Sequence, residues 1–208
     1  MKDYSVYMAL ADFLPVLFFA IAAVKLQRDL YNKMSKGAFA LFATGTIDVV
    51  FAGSAKATYK LLYAAGVCDF ESLNNLYFPV ISVGFLLSGL GLVGMLNHKQ
   101  TENAALCIAP PVLFKGTPIM ISFMIIGLAM ICYSLCVIAH RLKKSSIIAL
   151  FVINFVCSLT MGYLASKDFD AAFWNWIAEG VNILGQGAFL LGVVRLRRAG
   201  LTQLKLNK

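Results

Sequence analysis

Apolar positions in this chain fall in long blocks rather than in short alternations. The blocks run from about Tyr4 to Leu26, Gly37 to Ala64, Leu76 to Leu96, Thr117 to Ile138, Ile147 to Ala165 and Trp174 to Val194. At about 1.5 Å of rise per residue, each is long enough to cross a hydrocarbon layer of about 30 Å as a helix. The pattern therefore predicts an all-α, polytopic transmembrane helix bundle. A further stretch, Asn103 to Phe114, is short and interrupted by Pro110-Pro111. It reads as a short helix or as a re-entrant hairpin, and the double proline tolerates either.

One block breaks the pattern. Within Trp174 to Val194, the polar residues Asn175, Glu179, Asn182 and Gln186 recur at i, i+4, i+7 and i+11. That spacing places them on one face of one helix. Such a stripe is costly against lipid, so the pattern predicts that it faces the interior of the bundle.

Composition agrees with the blocks. Of 208 residues, 60% are hydrophobic and 13% charged, about half the charged share of a soluble domain. The length allows one domain, 1–208, and leaves no room for a soluble module. The net charge of +8 does not point to nucleic acid. The basic residues sit in short clusters beside the apolar blocks, where orientation signals belong. The chain is expected in the plasma (inner) membrane, with its basic loops in the cytoplasm and membrane lipid as its surroundings. The first block is expected to be retained rather than cleaved as a signal peptide, because Lys2 is cancelled by Asp3 and Asp12 lies inside the apolar run.

The distribution of positive charge also selects a topology. With seven crossings and the N-terminus outside, 13 of the 18 basic residues fall on the inside face. With six crossings and the N-terminus inside, the split drops to 11 against 7 and strands the first basic loop, Lys25 to Lys36, outside. The reading is therefore seven helices, N-terminus outside and C-terminus inside, with Asn103 to Phe114 and its flanks as the short fourth helix. Tyr4, Tyr7, Tyr59, Tyr63, Tyr77, Trp174 and Trp176 then form an aromatic belt at the outer interface.

An internal repeat suggests the same layout. A shift of 98 residues aligns Val83 with Val181, Leu86 with Leu184 and Gly89 with Gly187. A shift of 109 aligns Ala40-Leu41-Phe42 with Ala149-Leu150-Phe151, and Gly53 with Gly162. The expected repeat units are 4–99 and 117–198, joined by a linker helix over 100–116, and the matching basic ends make them parallel, 3+1+3. This layout resembles that of the SWEET-type sugar transporters, without their proline-glutamine loop motif. Microbial rhodopsins share the seven-helix layout but need a lysine in the last helix, where this chain carries Glu179.

Candidate chemistry comes from ionisable and amide residues inside the blocks. Asp12, Lys56 and Glu179 fall at one depth near the outer face. Asp48, Asn154, Asn182 and Gln186 fall near the midplane, with Thr44 and Tyr163 as additions. Asp12, Asp48, Asn154, Asn175, Glu179, Asn182 and Gln186 are the expected ligand-binding set, since amides both donate and accept. The bland alternative is that the same groups only hydrogen-bond helix to helix, and that Lys56 only snorkels to the headgroups. Helix glycines, Gly84, Gly89, Gly91, Gly94, Gly185, Gly187 and Gly192, read as close packing points. Cys132 and Cys136 form no metal or redox motif, and no cofactor is expected. The resulting expectation is a small membrane transporter or ligand-binding protein for a small polar or cationic molecule. The alternatives are an intramembrane enzyme acting on a lipid or isoprenoid through Asp12 and Glu179, or a non-catalytic sensor or subunit. The oligomeric state is open.

Overall fold

The structure, a computed structural model, describes residues 5–97, 117–164 and 172–204. The described residues are helical, and six of their spans are long and apolar enough to cross a membrane. The expected fourth helix, Cys107, His98 and the linker 100–116 lie outside the described residues.

The first span is two helices, α1 (Val6–Ala11) and α2 (Phe13–Leu30). Ser5 caps α1 by accepting a hydrogen bond from the Met8 N–H at 3.2 Å. The break at Asp12 has a cause in the sequence. Pro15 has no N–H to give to the carbonyl of Ala11, so the ladder cannot run through this turn. α3 (Lys36–Ala64) is capped by Ser35, which accepts from Ala38. It stops at Gly66, whose φ of +67° closes the helix end as only glycine does cheaply. A short α4 (Glu71–Asn75) leads into α5 (Tyr77–Asn97). Pro79 is tolerated there in the first turn, where its missing N–H would be unused anyway. α6 (Thr117–Arg141) and α7 (Ser145–Leu164) are joined by a tight turn, and α8 (Ala172–Arg198) completes the set. After α8 the chain turns at Gly200, φ +102°, and buries Leu201. Lys33 ties this tail down by donating to the carbonyls of Thr202 and Leu204, the latter at 2.7 Å.

The six long helices form a closed ring in sequence order, with α8 packed back against α2. Their directions follow from which residues meet. Asp12 pairs with Lys60, Val16 meets Gly53 and Gln27 bonds Thr46, so α2 and α3 are antiparallel. α8 runs parallel to α2, because Phe19 stacks on Phe189 and Asp29 pairs with Arg197. α7 and α8 are antiparallel, through Asn154 with Gly185 and Phe151 with Gly192. Gly89 of α5 meets Gly127 and Met130 of α6, while Gly127 abuts Phe85. The order ascends on both helices, so α5 and α6 are parallel. The chain therefore leaves α5 at one end of the bundle and begins α6 at the other.

One end of the bundle, here the Ser5 end, carries the starts of α1, α5, α6 and α8. The other, the basic end, carries Lys33, Lys36, Arg141, Lys143, Lys144 and Arg195 to Arg198 among its positive residues. For helices apolar enough to span a membrane, close packing is the force that can join them, since lipid is as apolar as leucine. Glycines do this where expected. A Cβ at Gly91 would lie 2.6 Å from the Ala38 carbonyl oxygen, and one at Gly84 would lie 2.9 Å from that of Gly45. Gly94 and Gly187 meet their neighbours only at ordinary contact distance. Phe42 and Phe151, which the 109-residue shift aligns, are both 1% exposed, and each lies against a glycine of the next long helix, Gly91 of α5 and Gly192 of α8.

Candidate functional site

Two adjoining cavities occupy the half of the ring nearer the Ser5 end. Side chains from all six long helices line the deeper one. Val16, Gly53, Lys56, Tyr77, Met161 and Asn182 border both, so the two form one cleft with two chambers.

The chamber nearer the Ser5 end, about 180 Å³, is the charged one. Asp12 is delivered by the break that Pro15 imposes. Its Oδ2 lies 2.5 Å from Lys60 Nζ, and the aspartate is 9% exposed. The Glu179 carboxyl lies beside that of Asp12. Glu179 is 5% exposed, and its Oε1 is buried with no hydrogen-bond partner among the described residues. Two adjacent carboxylates repel, and the Lys60 ammonium offsets that repulsion on the Asp12 side. Lys56, one turn before Lys60 on the same face of α3, does not snorkel outward. It turns into the cleft, with its Nζ 3.9 Å from the centre of the Tyr77 ring, a cation–π contact.

The deeper chamber, about 160 Å³, is mainly apolar. Pro15, Phe19, Val49, Ile81, Phe85 and Leu128 contribute to its wall, while Asn182, Gln186 and Ser158 supply polar atoms. Gln186 Oε1 is buried with no hydrogen-bond partner among the described residues. The chamber ends at an aromatic layer. Phe19 meets Phe85 edge-on at 6.0 Å and stacks on Phe189 at 5.7 Å, and Phe189 meets Phe151 at 6.0 Å. Beyond it, Leu26, Phe42, Leu92, Leu135, Val193 and Leu196 are packed to 0–1% exposure, closing the basic half of the ring.

Of the seven residues expected to bind a ligand, five line the cleft: Asp12, Asn175, Glu179, Asn182 and Gln186. The polar stripe of α8 thus faces inward as its spacing requires. Asp48 and Asn154 line neither chamber. Asp48 is half-buried, with its Cβ near Gly84. Asn154 is buried and donates to the Gly185 carbonyl at 3.0 Å, a helix-to-helix bond of the kind the bland alternative describes. Thr44 and Tyr163 are exposed on the outer surface. Cys132 and Cys136 lie 3.9 Å apart at their sulfurs, and Cys132 donates weakly to the Phe151 carbonyl. Lys60 is the group that sequence reasoning left out. Its i, i+4 spacing from Lys56 puts both on one face of α3.

Comparison of the chain with protein-family models, with curated proteins and with solved structures finds no match.

Proposed function

We propose that this chain is a seven-crossing membrane protein of two parallel three-helix units, whose central cleft binds a small polar or cationic molecule as a carrier or receptor. The observation that carries the binding reading is Glu179: an almost fully buried carboxyl, one of whose oxygens has no partner among the described residues, inside a cleft, beside a second carboxyl. Unpaired buried acceptors are expensive, and membrane proteins keep them where a ligand or ion completes them. Small carriers bind substrate between their repeat units near the midplane, the depth toward which the inner chamber of this cleft extends.

The seven-crossing reading is supported by the parallel run of α5 and α6. The segment 98–116 joins opposite ends of the bundle, and its 19 residues suffice for one helical crossing. The basic end would face the cytoplasm of a plasma membrane. The repeat is supported by the equivalent settings of Phe42 and Phe151 and by the same order of helix directions in each half.

The test is binding followed by uptake. Purified protein in detergent is melted with panels of small amines, amino acids and sugars, since a ligand of the folded state raises its melting point. Those that stabilise it are offered to proteoliposomes. Glu179→Gln is expected to abolish stabilisation and uptake while the variant still purifies as a folded monodisperse protein. No stabilisation by any panel member would overturn the binding reading. Stabilisation without uptake would leave a receptor rather than a carrier. The adjoining carboxyls of Asp12 and Glu179 favour one second reading, acid–base chemistry on a lipid or isoprenoid. It requires a changed lipid profile in cells that express the protein.

A further inference from the structure

We propose that the ligand is a small aromatic zwitterion whose ring carries a hydrogen-bond donor, with its charged end in the Asp12–Glu179 chamber and its ring in the deeper one. This rests on the ligand-binding reading above and narrows it.

The charged chamber holds two carboxyls and two ammonium groups, so it offers groups of both kinds to a ligand. Within it Asp12 and Lys60 satisfy each other. Glu179 also shares a hydrogen bond with Asp12, so of the four charged groups its second oxygen and the Lys56 ammonium are what a ligand can complete. Glu179 Oε1 has no partner among the described residues. Lys56 faces the Tyr77 and Phe78 rings and takes part in neither described ion pair. A simple cation would complete Glu179 and be repelled by Lys56. A simple anion would do the reverse. A ligand bearing an ammonium and a carboxylate completes both.

The deeper chamber fixes the rest of the ligand. Its 160 Å³ is close to that of an apolar protein cavity of about 150 Å³ that takes up a single benzene ring. Phe19 and Phe85 present aromatic surface at its end, suited to stacked or edge-on ring contacts. An extended alkyl chain would have to pass the closed layer of Phe19, Phe85 and Phe189. The unpartnered Gln186 Oε1 sets the last condition, because an acceptor at this depth calls for an N–H or O–H on the ring. Glu179 and Gln186 are seven residues apart, about 10 Å along the helix axis. A two-ended small molecule with one hydrogen bond at each end spans that distance.

The experiment measures affinities of the purified full chain for tryptophan, for three analogues that each lack one feature, and for glycine, which lacks the ring. Tryptophan has all three features. 1-Methyltryptophan lacks the ring N–H, tryptamine lacks the carboxylate and indole-3-propionate lacks the ammonium. Tryptophan is expected to bind best. Removing the ring donor weakens binding about fivefold, and removing either charge about tenfold or more. In Gln186→Met the preference for tryptophan over 1-methyltryptophan is expected to vanish. That readout is a ratio within one variant and does not depend on its overall stability. Tryptamine or indole-3-propionate binding as tightly as tryptophan, or glycine doing so, would overturn this inference and leave the broader binding reading standing. So would an unchanged ratio in Gln186→Met. Failure of these probes and of every amine, amino acid and sugar in the wider panel would overturn both.

Discussion

Asp12 shows how one backbone constraint produces a site. Pro15 removes a helix bond at Ala11, the turn opens, and a carboxylate that the apolar block should exclude is aimed at the ring's interior. Its ion pair with Lys60 is partly shielded, at 17% and 9% exposure. Loss of the lysine therefore leaves a nearly buried carboxylate without its ion-pair partner, with the more distant Lys56 ammonium left to offset its charge. Lys60→Met is expected to lower unfolding stability by about 1–3 kcal/mol. Adding Asp12→Asn should restore most of that loss, giving a coupling of about 1 kcal/mol or more in a double-mutant cycle. Additive effects would show that the pair does not hold this corner together. The α8 stripe was legible in the sequence because periodicity reports azimuth. Asp48 and Asn154 were not, because a lone polar residue in an apolar block reveals its depth but not the direction it faces. The apolar wall of the deeper chamber left no trace either, since a residue lining a cavity is chemically the same as one facing lipid.

Among the helices, small residues decide which pairs approach closely. Gly45, Gly84 and Gly91 bring α3 and α5 into near backbone contact, whereas no neighbouring atom lies within 4 Å of the Cβ position of Gly180. Gly91→Val must push α5 away from Ala38 and Phe42, and is expected to lower the melting temperature by several degrees or more, as overpacked cores do. Gly180→Ala is expected to leave stability unchanged or to raise it by up to about 1 kcal/mol, since alanine is the better helix former and nothing stands in its way. Equal sensitivity at both positions would contradict the contact pattern. Helix boundaries were nearly readable from the apolar blocks, within two to four residues at most ends. The break in the first span was missed although Pro15 marks it, because hydropathy averages over the turn that proline disrupts.

For the molecule as a whole, the parallel pair α5 and α6 is the informative feature, and hydropathy could not reveal it. Block lengths count candidate crossings, and direction has to come from elsewhere: from the spread of basic residues in the sequence and from the helix contacts in the structure. The proposed seven crossings predict that reporters fused at the N-terminus and at the C-terminus lie on opposite faces, with the C-terminal one cytoplasmic. Impermeant labelling of single cysteines at Glu71 and Lys143 should likewise sort to opposite faces. Both termini on one face would exclude seven crossings.

In the proposed membrane carrier, the aromatic layer of Phe19, Phe85 and Phe189 would have an electrical consequence. Where the cleft fills with water from the Ser5 end, the membrane potential falls mainly across the closed half beneath that layer. A charge carried through the whole potential feels about 2.3 kcal/mol per 100 mV, but one stopping at Glu179 crosses little of it. Occupancy of the cleft would then be nearly blind to voltage. Only passage beyond the phenylalanines would meet the field, and a zwitterion of zero net charge would cross it without electrical work.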